Sequence, residues 1–219
     1  MQEEYFDVFD ANGEKTGIAV RAEVHRLGLW HQTFHCWVLA YQEEKGWSVL
    51  MQLRQWDKDV FPNLLDISCA GHLQAGEKVA DGVRELEEEL GLAVTFERLH
   101  PCGVMAAEHL LSDTLIDREF CHVFLLREDR SCGEYAYQKS EISGLFHIPL
   151  EEFRWLITGT RGTAGVSGVQ STEAKASAMQ AVRREVTVAD VVPHPPQYYR
   201  FVLEEMDKFI ADASGKKHR

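Results

Sequence analysis

Glu85, Glu88 and Glu89 lie within the run RELEEELGL, Arg84 to Leu92. If that run is helical, residues three and four apart share one face, so the three carboxylates converge. Val79, Val83, Leu86 and Leu90 then fall on the opposite side. Like charges at this spacing cost a few tenths of a kcal/mol, roughly, per pair. Two readings follow: a solvated acidic face, or a face built to hold a cation. Converging carboxylate oxygens suit Mg2+ or Mn2+, which take hard oxygen ligands in octahedral geometry.

These side chains need elements to hold them. The segment from Lys78 to Leu90 reads as a helix, with Gly91 as a left-handed cap. Upstream, YFDVFDANGEKTGIAV alternates apolar and polar residues around Asn12-Gly13. It predicts a hairpin pairing Tyr5–Phe9 with Lys15–Val20. FHCWVLAYQ and WSVLMQLR flank a Glu-Glu-Lys-Gly turn and predict a second hairpin. LLDISCAG reads as a short strand, AVTFERLHPCGVM as a strand broken by Pro101, and EFCHVFLLRE as a core strand starting near Glu119. GLFHIPLEEFRWLIT predicts a strand leading into a helix. GTRGTAGVSGVQST, rich in Gly, Ser and Thr, reads as a flexible loop able to serve as a lid. The C-terminal part predicts a helix with Tyr199, Val202, Met206 and Phe209 inward, then a frayed basic tail. Strands and helices alternate throughout, which points to an α/β or α+β class.

Composition narrows the function classes. A chain of 219 residues with 45% hydrophobic residues buries a full core without staples. The formal net charge of −12 argues against general binding to nucleic acid or an anionic membrane. Such a protein meets a phosphate only through a metal or a local basic pocket. Arg54 and Lys58 in LRQWDKD are the candidate phosphate contacts, Arg for its bidentate fork. Trp30, Trp37 and Trp56 read either as core or as stacking groups. Five cysteines without zinc-ligand spacing read as reduced thiols, and no signal peptide or membrane span is expected, so the expected location is cytoplasmic.

RELEEELGL matches the second half of the Nudix box at every specified position, and Gly71 and Glu77 match the first half. The chain thus resembles a Nudix hydrolase. One departure stands out: six residues, KVADGV, separate Glu77 from Arg84, where the family usually has seven. That spacing bears on whether Glu77 pairs with Arg84, as its family counterpart does. The resemblance implies an α/β/α sandwich with a mixed sheet, to which the residue pattern adds the N-terminal β-hairpin and the C-terminal helix. It also implies divalent-metal-dependent cleavage of a diphosphate linked to another moiety. It assigns the metal to Glu85, Glu88, Glu89 and the Gly71 carbonyl, with Arg84 holding the glutamates in register.

The stretches EVHRLGLWHQTFHCWVLA, LRQWDKDVFPNLLDISCAGH and DREFCHVFLL further resemble the branch related to type I isopentenyl diphosphate isomerase. That enzyme binds a metal through three His and two acidic residues, which here match His25, His31, His72, Asp117 and Glu119. Glu119 is also the resemblance-based candidate for general base, with Glu88 next. The isomerase needs a cysteine immediately before its Gly-His pair, and here that position is Ala70. The adjacent Cys69 points to the other face of a strand. Hydrolysis is therefore expected over isomerisation, with a non-catalytic ligand-sensing domain as a third class. The expected layout is a hairpin extension over 1–28, the hydrolase domain over 29–213 and a disordered tail over 214–219. The expected partner is a small diphosphate, and a homodimer stays open.

Overall fold

Strand β3, Trp30–Gln42, is the hub on which the molecule is assembled. The computed structural model describes residues 3–112, 115–172 and 175–215. Before β3 come β1 (Tyr5–Phe9), β2 (Lys15–Val20) and helix α1 (Arg21–Leu27). After it follow β4 (Gly46–Arg54), β5 (Leu65–Asp66), β6 (Cys69–His72), α2 (Arg84–Leu90), β7 (His100–Ser112) and β8 (Leu115–Arg127). The chain continues through β9 (Ile142–Pro149), α3 (Leu150–Ile157), β10 (Ala164–Thr172), β11 (Lys175–Val186) and α4 (Pro196–Gly215). Along its length β3 pairs antiparallel with β4 and β6 and parallel with β8, so the sheet is mixed.

The pleat of β3 sorts its side chains between two cores. Trp37 and Leu39 join a cluster closed by α3 and α4, including Phe153, Leu156, Val202 and Met206. Phe34, Cys36 and Val38 join a second cluster containing Leu86 and Leu90 of α2. Helices on both faces of one sheet give the α/β/α sandwich that the resemblance implied. Both hairpins form as expected, the first in the register Tyr5↔Val20. Tyr199, Val202 and Met206 are buried on the inner face of α4, with Phe209 half-buried beside them.

Five sequence expectations are corrected. The segment 159–172 is not a loop throughout: from Ala164 it is β10, paired with β9 and β11. Its glycines serve close backbone approach, since a Cβ on Gly168 would strike the Leu145 carbonyl and one on Gly144 the Val169 carbonyl. Pro101 does not break its strand, but sits near the start of β7 where the register shifts, a position a missing N–H tolerates. Glu119 lies inside β8 rather than at its start. The expected helix from Lys78 begins as a 3-10 turn over Val79–Val83 and becomes α-helical at Arg84. Of the expected tail, residues 216–219 lie outside the described residues, while Ser214 and Gly215 still belong to α4. The described residues include no helix long and apolar enough to cross a membrane.

Candidate active site

Leu86 and Leu90 are fully buried and seat α2 on the sheet. Each such burial contributes ~1.5–3 kcal/mol, well above the ~0.2–0.5 kcal/mol of a like-charge helical pair. The seat therefore holds the glutamate face in place. Gly91 ends the helix in the left-handed conformation at φ 66°, as expected. Gly71 lets the Glu85 carboxylate lie directly against the β6 backbone, since a Cβ there would overlap that carboxylate in its present position. Glu89 accepts the Ala70 backbone N–H at 3.3 Å. Burial beside Glu85 pushes the Glu89 carboxyl up to about 8, and burial likewise raises Glu85.

Arg84 gathers this face. Its Nη1 donates to Glu85 at 2.6 Å and to Glu88 at 3.0 Å, and its Nη2 donates to the His72 carbonyl at 3.0 Å. Nε and Nη2 donate to the two Glu77 oxygens at 2.8 and 3.1 Å. The shortened spacing thus leaves the Glu77–Arg84 pair intact. The 3-10 turn accounts for it: it rises about 2.0 Å per residue against about 1.5 Å in an α-helix, so fewer residues span the gap. Gly82 lets that turn lie on the Phe34 ring.

The three histidines also converge, from α1, β3 and β6. Ring centroids lie 5.2 Å apart for His25–His31, 5.5 Å for His25–His72 and 5.1 Å for His31–His72. Phe6 of the N-terminal hairpin stacks on His72 at 4.7 Å. The parallel pairing sets His31 opposite Glu119, and Asp117 faces the same side. Asp117 Oδ1 stands 3.6 Å from His25 Nε2 and 3.5 Å from His31 Nε2, while Glu119 Oε1 stands 4.0 Å from His72 Nε2. Burial lowers all three imidazoles, His31 to about 4. Burial raises both carboxyls, Asp117 to about 6. His31 Nδ1 donates to the Leu29 carbonyl at 3.1 Å, leaving its lone pair on Nε2. His31 Nε2, His72 Nε2 and Asp117 Oδ1 are buried without a hydrogen-bond partner. Neutral imidazoles with orphaned nitrogens facing carboxylates form a donor set that fits a divalent transition metal.

The glutamate lobe, about 320 Å³, and the histidine lobe, about 280 Å³, adjoin along Ala70–His72 and share Arg21, Arg54 and Lys58. Arg54 lies where expected but is already engaged, donating to Asp66 at 2.9 Å and to the Val60 carbonyl at 3.1 Å. Lys58 is ion-paired with Glu141. Trp37 is core, Trp30 stacks on Phe120, and Trp56 alone of the three is exposed. Cys69 is buried on the α2 side of the sheet, away from the histidines as expected, but there its thiol meets Glu89.

The sequence reading missed Arg21, His35, Asp66 and His194. Asp66 is buried and accepts from Arg54 and from His194 Nε2 at 2.9 Å. Only one signal was available for these: His35 follows His31 at the strand period and so shares its face. The contact between Asp66 and His194 joins distant parts of the chain and leaves no local pattern.

A mixed sheet between helices, with a glutamate face on the helix that follows a glycine turn, defines an α/β/α sandwich with an acidic face beside the sheet. The NUDIX domain profile matches residues 29–164. An uncharacterised Nudix hydrolase of Clostridium acetobutylicum is 35% identical over 207 residues, covering 94% of this chain and 98% of that protein. An isopentenyl-diphosphate Delta-isomerase of Mycolicibacterium vanbaalenii is 28% identical over 161 residues, covering 69% and 83%. The crystal structure of DR0079 from Deinococcus radiodurans has the same fold, with a TM-score of 0.54 at 23% identity over 71% of this chain and 90% of that one. The chain belongs to the Nudix hydrolase family, with isopentenyl-diphosphate isomerases among its distant relatives.

Proposed function

We propose that this enzyme is a metal-dependent hydrolase that cleaves the diphosphate linkage of a nucleoside-diphosphate-type or related organic diphosphate. The observation that carries the reading is the pairing of opposite charges across one cleft: Glu85, Glu88 and Glu89 on one wall, Arg21, Arg54 and Lys58 on the rim. Glu85, Glu88, Glu89 and the Gly71 carbonyl would hold Mg2+ or Mn2+. The crowding of Glu85 and Glu89, whose carboxyls burial and their mutual repulsion push up, is what a bound cation would offset. When bound, such an ion neutralises diphosphate oxygens and lowers the pKa of water. Arg84 keeps the glutamates in register. The rim cations take the remaining phosphate oxygens, Arg54 through the part of its guanidinium not committed to Asp66. Glu119 accepts the proton of the attacking water as general base, with Glu88 as the alternative.

The histidine cluster favours a second reading, an isomerase-like enzyme, because His25, His31, His72, Asp117 and Glu119 gather as a compact donor set. Ala70 weighs against it. The residue preceding the Gly-His pair carries a methyl group, and no thiol points into the cavity from that position. The intact glutamate set weighs against a purely ligand-sensing role. We assign residues 29–213 to the hydrolase domain, and 1–28 to an extension that supplies Phe6, Arg21 and His25 to the cleft.

The test is a panel of nucleoside diphosphate esters, nucleotide sugars and prenyl diphosphates, incubated with Mg2+ or Mn2+ and followed by mass analysis of products. Phosphate-containing cleavage products are expected. An isomerised substrate of unchanged mass would turn the reading to the isomerase, and no turnover to the sensing domain.

A further inference from the structure

The stretch VVPHP, Val191 to Pro195, leads into α4 and carries one imidazole, His194. Prolines on both sides stiffen the backbone there, since Pro fixes its own φ and restricts the residue before it. Val191 bridges Leu65 of β5 in parallel, and the Val192 N–H donates to the Leu65 carbonyl at 2.9 Å. The stretch therefore runs beside β5 and brings His194 to Asp66, where Nε2 donates to Oδ1 at 2.9 Å. The first turn of α4 holds the imidazole from behind. The Tyr198 and Tyr199 rings stand 5.0 and 5.6 Å from it, and the Tyr199 hydroxyl donates to the Val192 carbonyl.

Asp66 is in turn fixed at both oxygens. Oδ1 accepts from His194 and from the Ile67 N–H at 2.8 Å, and Oδ2 accepts from Arg54 Nη1 at 2.9 Å. Arg54 Nε donates to the Val60 carbonyl at 3.1 Å. These two acceptors fix the guanidinium plane, while Nη2 has no partner among the described residues. Arg54 borders both lobes of the cleft. Arg21 makes the contrast: its side chain is 51% exposed, and the carboxylate it pairs with, Glu4, is 47% exposed. A donor fixed before its ligand arrives spares the ordering cost of binding, and a planar guanidinium keeps its direction once two of its nitrogens are held.

We propose that Asp66 and His194 are positioning residues for Arg54, holding its guanidinium so that Nη2 meets a diphosphate oxygen where the two lobes join. His194 lies beyond the NUDIX profile match, which ends at residue 164, so the segment after the matched residues takes part in the site. The inference rests on the proposed phosphate contact of Arg54, and the binding measurement below separates the two. Asp66 gives it a sign. By charge alone, a carboxylate beside a diphosphate repels it, and neutralising Asp66 would tighten binding. By positioning, neutralising Asp66 loosens Arg54 and weakens binding.

The probe is imidodiphosphate, a diphosphate analogue that resists hydrolysis, titrated calorimetrically with Mg2+ present into full-length variants shown to be folded by circular dichroism. Arg54→Ala is expected to weaken binding at least about tenfold. His194→Leu and Asp66→Asn are expected to weaken it about threefold to tenfold, and His194→Gln, which keeps a side-chain N–H in place of Nε2–H, less than about twofold. In the Arg54→Ala background, His194→Leu is expected to cost less than about twofold more, because its effect passes through Arg54. Arg54→Lys, which lacks the fork, takes the place of Arg54→Ala in the cycle if the alanine variant does not fold. With a diphosphate that is turned over, His194→Leu is expected to raise KM with kcat within about threefold. Undiminished binding in His194→Leu, tighter binding in Asp66→Asn, or an equal loss from His194→Leu with and without Arg54 would overturn the positioning role. Undiminished binding in Arg54→Ala would instead overturn the phosphate contact on which it rests. If the wild type cleaves no diphosphate while the binding cycle runs as expected, the hydrolase reading fails and the positioning role stands.

Discussion

His31 Nε2 and Asp117 Oδ1 stand 3.5 Å apart, both buried and both without a hydrogen-bond partner. The His31 proton is committed to the Leu29 carbonyl on the far side of the ring. Burial holds the ring neutral and raises the Asp117 carboxyl to about 6, and in its ionised form that carboxyl is an acceptor only. Two acceptors facing each other in a buried space leave their desolvation uncompensated. A cation between them resolves that conflict.

Mn2+ is accordingly expected to raise the Tm of the metal-free protein, since a ligand that binds only the folded state stabilises it. Asp117→Asn is expected to remove a large part of that gain while leaving the metal-free Tm level or slightly higher. Differential scanning calorimetry with and without Mn2+ checks this. An undiminished gain in Asp117→Asn would remove Asp117 from the ligands.

Glu89 carries the clearest pH signature. Burial beside Glu85 raises its carboxyl to about 8 in the folded protein. A raised carboxyl costs nothing below the ordinary glutamate pKa, where both states hold the proton. The cost sets in as the unfolded state ionises and is complete once the pH exceeds about 8. Metal-free wild type is expected to lose stability across that window, and Glu89→Gln to lose less. The same substitution is expected to lower kcat at least about a hundredfold. Glu87, exposed on α2, is the control, and Glu87→Gln is expected to change neither quantity. A kcat for Glu89→Gln close to the wild-type value would dismiss the glutamate face as the metal site.

Asp66 has the opposite sign. Burial alone would raise its carboxyl, but the hydrogen bond and charge of His194, with Arg54, hold it well below the usual range. A depressed carboxyl contributes stability that is present above the unfolded pKa and lost as the pH falls toward the folded one. Wild type is expected to weaken below about pH 4 for this reason. Asp66→Asn should be less stable at neutral pH by ~1–3 kcal/mol, with a shallower acid limb. Urea denaturation between pH 2 and 7 measures both, and parallel acid limbs would contradict the assignment.

What the sequence disclosed and what it hid follow from the range of the interactions. The Glu85, Glu88 and Glu89 face was legible because helical spacing is local and the apolar positions opposite it repeat at the same period. The histidine cluster was legible only through resemblance, since His25, His31 and His72 sit on three different elements. Strand β10 was hidden because glycine lowers strand propensity, while its purpose, close passage against β9, is a tertiary fact. The 3-10 turn that preserves the Glu77–Arg84 pair follows from a missing residue, and spacing alone does not say how the backbone absorbs a deletion. His194 and Tyr198 were hidden for the same reason: their partners Asp66 and His35 lie more than a hundred residues away.

The central claim is hydrolysis of a diphosphate by this cleft, and the most direct measurement is turnover of a diphosphate ester in oxygen-18 water with Mg2+ or Mn2+, with products resolved by mass spectrometry. One heavy oxygen is expected in one phosphate-containing product per cleavage, with Glu89→Gln forming that product at least about a hundredfold more slowly. Substrate recovered at unchanged mass, or isomerised without uptake of the label, across the whole panel would contradict the claim.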